Sequence, residues 1–226
     1  WVSASLAEER GYVENVRMMK IRTLAVLLFL LLPALAWPFE EEVRIVVLDP
    51  GHGGYERGIR DEKSVTLAVA RQIKDILEYA DARVYLTRKI DHFLSLSERR
   101  AVINSHNPDI FVSLHFSGSD DFAVYVTRYA GRDASTSLKK YYSIDERQRR
   151  YLYESGLLAG TLEKALAREY GTGVVHREMP LPLLNAVGAP AVLVELPSRG
   201  ITYGEREILR VASVIALGIM NYEEKR

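Results

Sequence analysis

The chain has 226 residues, and its 30 lysines and arginines balance its 30 aspartates and glutamates, so the formal net charge is zero. Hydrophobic residues make up 48% of the chain and charged residues 27%, which is ordinary for a globular protein with a sizeable core. The balanced charge argues against a nucleic-acid-binding protein, because such proteins carry a basic excess on the binding face. Cysteine is absent, which excludes disulfide bonds, thiolate metal sites and cysteine nucleophiles.

The N-terminal region has the pattern of an export signal. A basic segment at 18–22 precedes an unbroken apolar run at 24–32, and small residues follow in an A-x-A pattern at 34–36. This order defines a secretory signal peptide, and the run is shorter than the roughly 20 residues of a membrane span. We predict three segments, with an uncleaved anchor as the alternative for the second: a non-native or mis-assigned leader at 1–18, a signal peptide at 19–36, and a catalytic domain at 37–226.

Apolar β-branched runs alternate with helical patterns through the rest of the chain. Strands are predicted at residues 43–48, 82–87, 110–115, 122–127, 183–187 and 191–195. Helices are predicted at residues 62–80, 97–105, 146–170 and 205–221, and a loop at 129–145. The alternation is typical of the α/β class. We therefore expect a single domain with a twisted, mostly parallel sheet of about six strands and helices on both faces.

Four polar side chains stand at the ends of these elements. His52 lies in a glycine-rich turn after the first strand, His115 and Glu195 end two later strands, and Glu62 begins the first helix. Open α/β sheets bind ligands beyond the carboxyl ends of their strands, so parallel strands would bring these side chains together. Two histidines and a carboxylate are a common set of ligands for catalytic zinc. A further carboxylate nearby could carry protons.

Each of these residues also has an ordinary structural explanation. His52 could cap a glycine turn, Glu62 could complement the helix dipole, and His115 could be a hydrogen-bonded core histidine. Glu195 favours the interpretation of these residues as a functional site. It follows the apolar run 191–194, and a buried carboxylate without a partner is very costly. The other histidines lie in polar segments and are predicted at the surface: His92, His106 and His176.

These residues belong to five ordered blocks that resemble the zinc-dependent N-acetylmuramoyl-L-alanine amidases, which act on peptidoglycan. The blocks lie at residues 46–54, 62–67, 86–104, 113–115 and 190–195. The resemblance implies that His52, Glu62 and His115 bind Zn²⁺ and that Glu195 is the catalytic acid/base. It implies hydrolysis of the amide between the lactyl group of N-acetylmuramic acid and L-alanine. It also implies an exported monomer, periplasmic or extracellular, with peptidoglycan as partner, no nucleic acid and no lasting membrane insertion.

The sequence departs from the family pattern near two of these residues. Ser117 stands where such amidases usually have asparagine, and Leu196-Pro197-Ser198-Arg199 replaces the usual Gly-Phe and Ser-Asn pairs after the catalytic glutamate. Glu56 replaces a frequent aspartate in a shortened stretch before Glu62. These changes leave the four candidate site residues in place. We expect them to affect how the substrate is positioned. The rival functions are a zinc peptidase acting within the stem peptide and a catalytically silent wall-binding module.

Overall fold

The structure is a computed structural model that describes residues 43–128, 146–171 and 173–224. The predicted leader, the signal peptide and the loop at 129–145 lie outside the described residues. The elements follow in the order β1 (Ile45–Pro50), α1 (Glu62–Tyr79), β2 (Arg83–Leu86), α2 (Leu96–Ser105), β3 (Ile110–Ser117), β4 (Ala123–Thr127), α3 (Glu146–Arg149), α4 (Leu152–Tyr170), β5 (Val175–Met179), α5 (Pro182–Asn185), β6 (Ala191–Pro197) and α6 (Glu205–Glu223).

The strands form one six-stranded sheet in the order β2-β1-β3-β6-β4-β5. Every neighbouring pair is parallel except β4 and β6, which are antiparallel. The predicted mostly parallel α/β sheet is therefore confirmed. The parallel neighbours β1, β3 and β6 place their carboxyl ends side by side in the middle of the sheet.

Helices cover the two faces of the sheet unequally. The long helices α1, α4 and α6 pack on one face, where alternate strand residues such as Leu48, Val112 and Val194 are fully buried. The short helices α2 and α5 lie on the other face against a smaller apolar cluster that includes Val47 and Phe111. Among the described residues, this second face carries the two short helices α2 and α5, whereas three long helices cover the face opposite.

The burial of α1 explains why its sequence forms a helix at this place. Val69, Ile73 and Leu77 are buried at the three-to-four-residue spacing that aligns side chains on one face of a helix. Glu62 is the first residue of α1, where a negative charge complements the helix dipole. Within the part of the chain that is described, no helix combines the length and apolarity needed to cross a membrane.

Three predicted elements differ from the structure. The predicted strand at 183–187 is wrong, because Pro182–Asn185 is a short helix with proline at a favourable first position. The predicted helix at 146–170 is interrupted at Arg150 and Tyr151. The strand Val175–Met179 was not predicted, because it is a polar edge strand that joins the sheet by pairing with β4.

Candidate metal centre and active site

The fold brings the four predicted site residues to one edge of the sheet. His52 follows β1 by two residues, and His115 lies on β3 two residues before that strand ends. Glu195 on β6 is the direct register partner of His115. Glu62 opens α1, which packs against both β1 and β3. Both predicted strand ends fell two residues short, since β3 continues to Ser117 and β6 to Pro197.

Three of these side chains converge on one point. Glu62 Oε1 lies 3.2 Å from His52 Nε2 and 3.0 Å from His115 Nδ1. The two imidazole rings meet edge to face, with their centroids 5.1 Å apart. One ligand atom from each residue lies within 4.8 Å of the other two, which is compatible with a shared metal ion. Among the described residues, this is the group of histidine and acidic side chains that could hold an ion.

Glu62 is fixed by hydrogen bonds to both of its oxygens. Oε1 accepts from the backbone N–H of Phe116 at 2.9 Å, and Oε2 accepts from that of Ile59 at 3.0 Å. Burial alone would raise the pKa of Glu62, but the hydrogen bonds with His115, Phe116 and Ile59 outweigh it and lower the pKa. Glu62 is therefore an ionised and rigid carboxylate, as a metal ligand must be.

The backbone around His52 is shaped for close approach. His52 has a φ of 58°, in the left-handed region that few residues other than glycine adopt. Gly51 leaves room for the neighbouring imidazole, since a Cβ there would lie 2.5 Å from Cε1 of His115. Burial lowers the pKa of His52, so its ring is neutral at pH 7 and can bind a cation.

Two buried arginines hold this turn in position. Arg99 donates to the carbonyls of Pro50 at 2.9 Å and His52 at 2.7 Å, and Arg88 donates to Gly51 O at 2.8 Å. Arg99 also forms a buried ion pair with Asp49 at 2.6 Å. These hydrogen bonds stabilise the strained backbone conformation of the turn. A strained conformation of this kind persists only when the surrounding structure holds it.

The helix that carries Arg99 has a well-capped N-terminus. Ser95 caps α2, and its side chain accepts from the backbone N–H of Glu98, while the Glu98 carboxylate accepts from the backbone N–H of Ser95. This reciprocal arrangement satisfies two amide groups that a helix start leaves unpaired. The capped helix therefore places Arg99 beneath the His52 turn.

Glu195 lies beside the cluster without belonging to it. Its Oε2 accepts a hydrogen bond from the hydroxyl of Tyr125 at 2.8 Å. Burial raises the pKa of Glu195 above that of an ordinary glutamate, although the bond from Tyr125 acts in the opposite direction. A carboxylate of raised pKa is better suited than an ordinary one to take up and return a proton.

A cleft of about 380 Å³ opens above the site on the less covered face of the sheet. His52, His115 and Glu195 line its floor together with Glu56. Its walls are largely apolar and come from the segment before α2, from α5 and from β6: Phe93, Leu94, Leu96, Leu181, Pro182, Leu183 and Leu193. Open solvent on one side and apolar walls on the other suit a site for an extended substrate.

None of the other histidines belongs to the donor cluster found among the described residues, although the backbone of His92 lies against Gly53, next to His52. His176 is exposed on β5, in agreement with its predicted surface position, and its ring contacts Glu163. His106 is half-buried and stacks on Tyr85, while His92 is half-buried before α2, so neither is fully at the surface. The sequence analysis assigned no role to Tyr125. Its place on a predicted strand was visible in the sequence, but only the pairing of β4 with β6 brings it to Glu195.

The departures from the family pattern have structural roles. The Ser117 hydroxyl is buried and donates to the carbonyl of Asp121 at 2.9 Å, which closes the turn between β3 and β4. Leu196 is fully buried, and Tyr203 donates to the carbonyl of Pro197 at 2.9 Å. These residues shape the end of the sheet beside Glu195 and leave the three converging side chains untouched.

A His-Glu-His cluster is a donor set of catalytic metal sites, and here it lies with a separate, half-buried carboxylate at the carboxyl edge of the sheet, where α/β proteins bind ligands. The sequence model of the Amidase_3 family, described as N-acetylmuramoyl-L-alanine amidase, matches residues 46–198. The match covers more than half of the chain, and the chain therefore belongs to the N-acetylmuramoyl-L-alanine amidase family.

Individual relatives agree with this membership. The N-acetylmuramoyl-L-alanine amidase AmiA of Salmonella typhimurium is 28% identical over 79% of this chain and 76% of its own. The AmiA of Escherichia coli is 36% identical over 47% of this chain, and that match spans only 39% of the Escherichia coli protein. The catalytic domain of the amidase CwlV from Bacillus (Paenibacillus) polymyxa is 26% identical, with a TM-score of 0.61 over 81% of this chain and 100% of that domain.

Proposed function

We propose that this protein is a zinc-dependent N-acetylmuramoyl-L-alanine amidase that removes the stem peptide from peptidoglycan. The observation that carries the proposal is the convergence of His52, Glu62 and His115 beside Glu195, in a chain that belongs to this family. The relatives named as such amidases support the same substrate.

The donor set fits zinc. Two neutral imidazoles and one carboxylate are the protein ligands of many catalytic zinc sites, which leave a further position for water or substrate. His52, Glu62 and His115 would hold the ion, and Glu195 is outside the cluster of donors found in the described residues. When bound, zinc would polarise the amide carbonyl and acidify water.

Glu195 would carry the proton that the reaction moves. Water adds to the lactyl carbonyl carbon, forming a C–O bond, while the Glu195 carboxylate accepts a proton from that water. The C–N bond to L-alanine then breaks, and Glu195 returns the proton to the leaving nitrogen. The products are a lactyl carboxyl group on the glycan, which gives its remaining proton to the released amine or to solvent, and a peptide with a free amino terminus. Glu195 ends ionised, as it began.

Peptidoglycan lies outside the cytoplasmic membrane, so an enzyme that acts on it must be exported. We propose that residues 19–36 are a cleaved signal peptide and that residues 37–226 form an exported catalytic domain, monomeric in the periplasm or outside the cell. N-terminal sequencing of the exported protein tests this, with a new terminus near residue 37 as the expected result. Retention of residues 19–36 would support the anchor.

Digestion of purified peptidoglycan tests the activity directly. We expect residues 37–226 with zinc to release intact peptides that begin with L-alanine, and to leave peptide-free glycan, as measured by mass spectrometry. A chelator should stop the release and added zinc should restore it. Cleavage between two amino acids of the stem would instead show a peptidase, and zinc binding without any release would show a silent wall-binding module.

Replacing one ligand tests the site. His52→Ala should lower the zinc content of the purified protein and abolish peptide release, because it removes one of three donors. The matched control is His176→Ala, because His176 is exposed and lies on a part of β5 that does not line the cleft. A His52→Ala protein that keeps one equivalent of zinc and full activity would remove His52 from the site.

A further inference from the structure

The antiparallel pairing of β4 with β6 brings a tyrosine to Glu195. Ala123 is the register partner of Glu195, and Tyr125 is the register partner of Leu193. Residues two apart on a strand point to the same face, so Tyr125 and Glu195 are diagonal neighbours on the face that carries the cleft. Ala123, directly opposite Glu195, has only a methyl group and cannot bond to the carboxylate. The bond to Glu195 comes instead from the Tyr125 hydroxyl, at 2.8 Å.

The geometry makes Tyr125 the donor in this bond. Tyr125 is buried, and its burial together with the hydrogen bond and charge of Glu195 raises its pKa to about 12. An ionised carboxylate has no proton to donate, so the Tyr125 hydroxyl is the donor. Within the described residues, no other hydrogen bond to the Glu195 side chain is found.

A carboxylate that accepts a hydrogen bond at one oxygen has its other oxygen available to accept a proton. Oε2 of Glu195 accepts from Tyr125, so Oε1 is the oxygen without a protein partner among the described residues. A proton taken from water would be bound at Oε1, which has both lone pairs free of described protein donors, whereas one of the two Oε2 lone pairs already accepts from Tyr125. The same bond restricts rotation of the carboxylate, which matters because a misplacement of about 1 Å can cost 100-fold in rate.

We propose that Tyr125 is a positioning residue that orients Glu195, so that Oε1 takes the proton from water and returns it to the leaving amine. Tyr125 keeps its own proton throughout, and no atom is transferred to it. The proposal rests on the amidase function proposed above. It assigns to a residue of β4 a part in the reaction that the sequence did not indicate.

Tyr125→Phe removes the hydroxyl and keeps the ring. We expect kcat on a soluble N-acetylmuramoyl-peptide to fall about 10- to 100-fold, the usual effect of losing one hydrogen bond to a charged group. KM, zinc content and Tm should change little, because the ring still fills its place in the sheet. A role in packing alone would instead lower Tm and leave kcat unchanged in the folded fraction.

The chain offers a matched control in Tyr170. Its hydroxyl donates to Glu207 Oε1 at 2.6 Å, in a second, half-buried tyrosine–glutamate pair that joins α4 to α6 on the other face of the sheet. Tyr170→Phe should leave kcat and KM unchanged. An equal fall in kcat for both variants would overturn the proposal, because it would trace the effect to general loss of tyrosine hydroxyls.

A double variant tests whether Tyr125 acts through Glu195. In a Glu195→Gln background the proton carrier is gone, so adding Tyr125→Phe should reduce the remaining rate no further. If Tyr125→Phe lowers the rate by the same factor in both backgrounds, the two residues act independently and Tyr125 does not position Glu195.

Crystal structures separate this proposal from the proposed function. Failure of the unmutated protein to release peptide would count against the amidase function, and the structures would still decide the role of Tyr125. The unmutated protein should show one Glu195 orientation bonded to Tyr125, and Tyr125→Phe should show Glu195 in other or several orientations. An identical, single orientation in both proteins would overturn the proposal.

Discussion

Glu62 and Glu195 carry the same functional group, and their surroundings give them opposite properties. Two backbone amides and two imidazole rings surround Glu62, and its pKa is lowered. One tyrosine hydroxyl contacts Glu195, and burial raises its pKa. Glu62 is therefore suited to remain charged beside a cation, whereas Glu195 is suited to exchange a proton. A pair of carboxylates whose environments separate their pKa values is a recurrent basis for acid–base catalysis.

Glu195→Gln tests this division at the residue scale. Glutamine preserves the size and hydrogen-bonding capacity of the side chain but cannot accept a proton from water. The rate of peptide release should fall by about 10²- to 10⁴-fold, the typical contribution of general acid–base assistance. Zinc content should be unchanged, because the donor cluster does not include Glu195.

The control for this variant is Glu178→Gln, an exposed carboxylate on β5 that does not line the cleft. It should retain full activity. Loss of zinc from Glu195→Gln would make Glu195 a ligand, and unfolding of the variant would make it a structural ion-pair partner. Full activity would leave Glu195 without a catalytic role.

The sequence could indicate His52, Glu62, His115 and Glu195 because each stands near the end of an element that periodicity predicts. It could not indicate the bond from Tyr125, which depends on the direction and register of β4 against β6. Alternation of apolar residues predicts that a strand exists and leaves its neighbour undetermined. The carbonyl contacts of the buried arginines were equally hidden, since they depend on tertiary structure.

At the scale of elements, the errors fall where local pattern and tertiary pairing disagree. The run at 183–187 is short and apolar, a pattern that fits a buried strand or a buried helical turn equally well. Pro182 decided in favour of the helix, because its fixed φ suits the first helical position. Val175–Met179 carries exposed polar side chains, and its backbone bonds to β4 make it a strand. The helices α1 and α6 were predicted to within two residues, whereas the predicted helix at 146–170 is divided into α3 and α4.

The glycines of α4 offer a prediction about this helix. A Cβ at Gly156 or at Gly160 would meet no atom of a neighbouring described residue within 4 Å, so alanine fits at both positions. Each replacement should raise the free energy of unfolding by about 0.5–1 kcal/mol, because glycine in a helix loses more backbone entropy than alanine. Denaturant unfolding measures this, and the activity should not change.

Gly218 in α6 is the matched control. A Cβ there would lie 2.8 Å from Cδ2 of Leu162 in α4, so alanine would force the two packed helices to shift. Gly218→Ala should therefore lower the free energy of unfolding although it also replaces a helical glycine. Stabilisation by Gly218→Ala, or destabilisation by Gly156→Ala, would contradict the packing described for these helices.

At the scale of the whole molecule, the Asp49–Arg99 pair makes stability depend on pH. Burial raises the pKa of Asp49, but the charge of Arg99 and the hydrogen bonds from Thr87 and Arg99 outweigh it and hold the pKa below its usual value. A carboxylate with a lowered pKa in the folded state contributes stability above its unfolded pKa of about 4. That contribution is lost as the pH falls through the lower folded pKa.

Asp49→Asn tests this contribution. At pH 7 the free energy of unfolding should fall by about 3–5 kcal/mol, because Arg99 would remain buried without its charged partner. Between pH 5 and pH 2 the variant should lose stability less steeply than the unmutated protein, as measured by thermal unfolding. Asp75→Asn, an exposed change in α1, should retain the original pH profile. If the stability of Asp49→Asn fell with pH as steeply as that of the unmutated protein, the titrating group responsible would be a residue other than Asp49.

The position of β6 has a consequence for how the enzyme comes into being. β6 is the last strand along the chain, yet it lies between β3 and β4 in the sheet. The three candidate donors all precede it, whereas Glu195 arrives with β6 itself. A chain truncated before β6 would thus keep the three candidate metal ligands and lack the proposed proton carrier. Under the proposed function such a chain would be unable to cut peptidoglycan, and activity would begin only once β6 has entered the sheet.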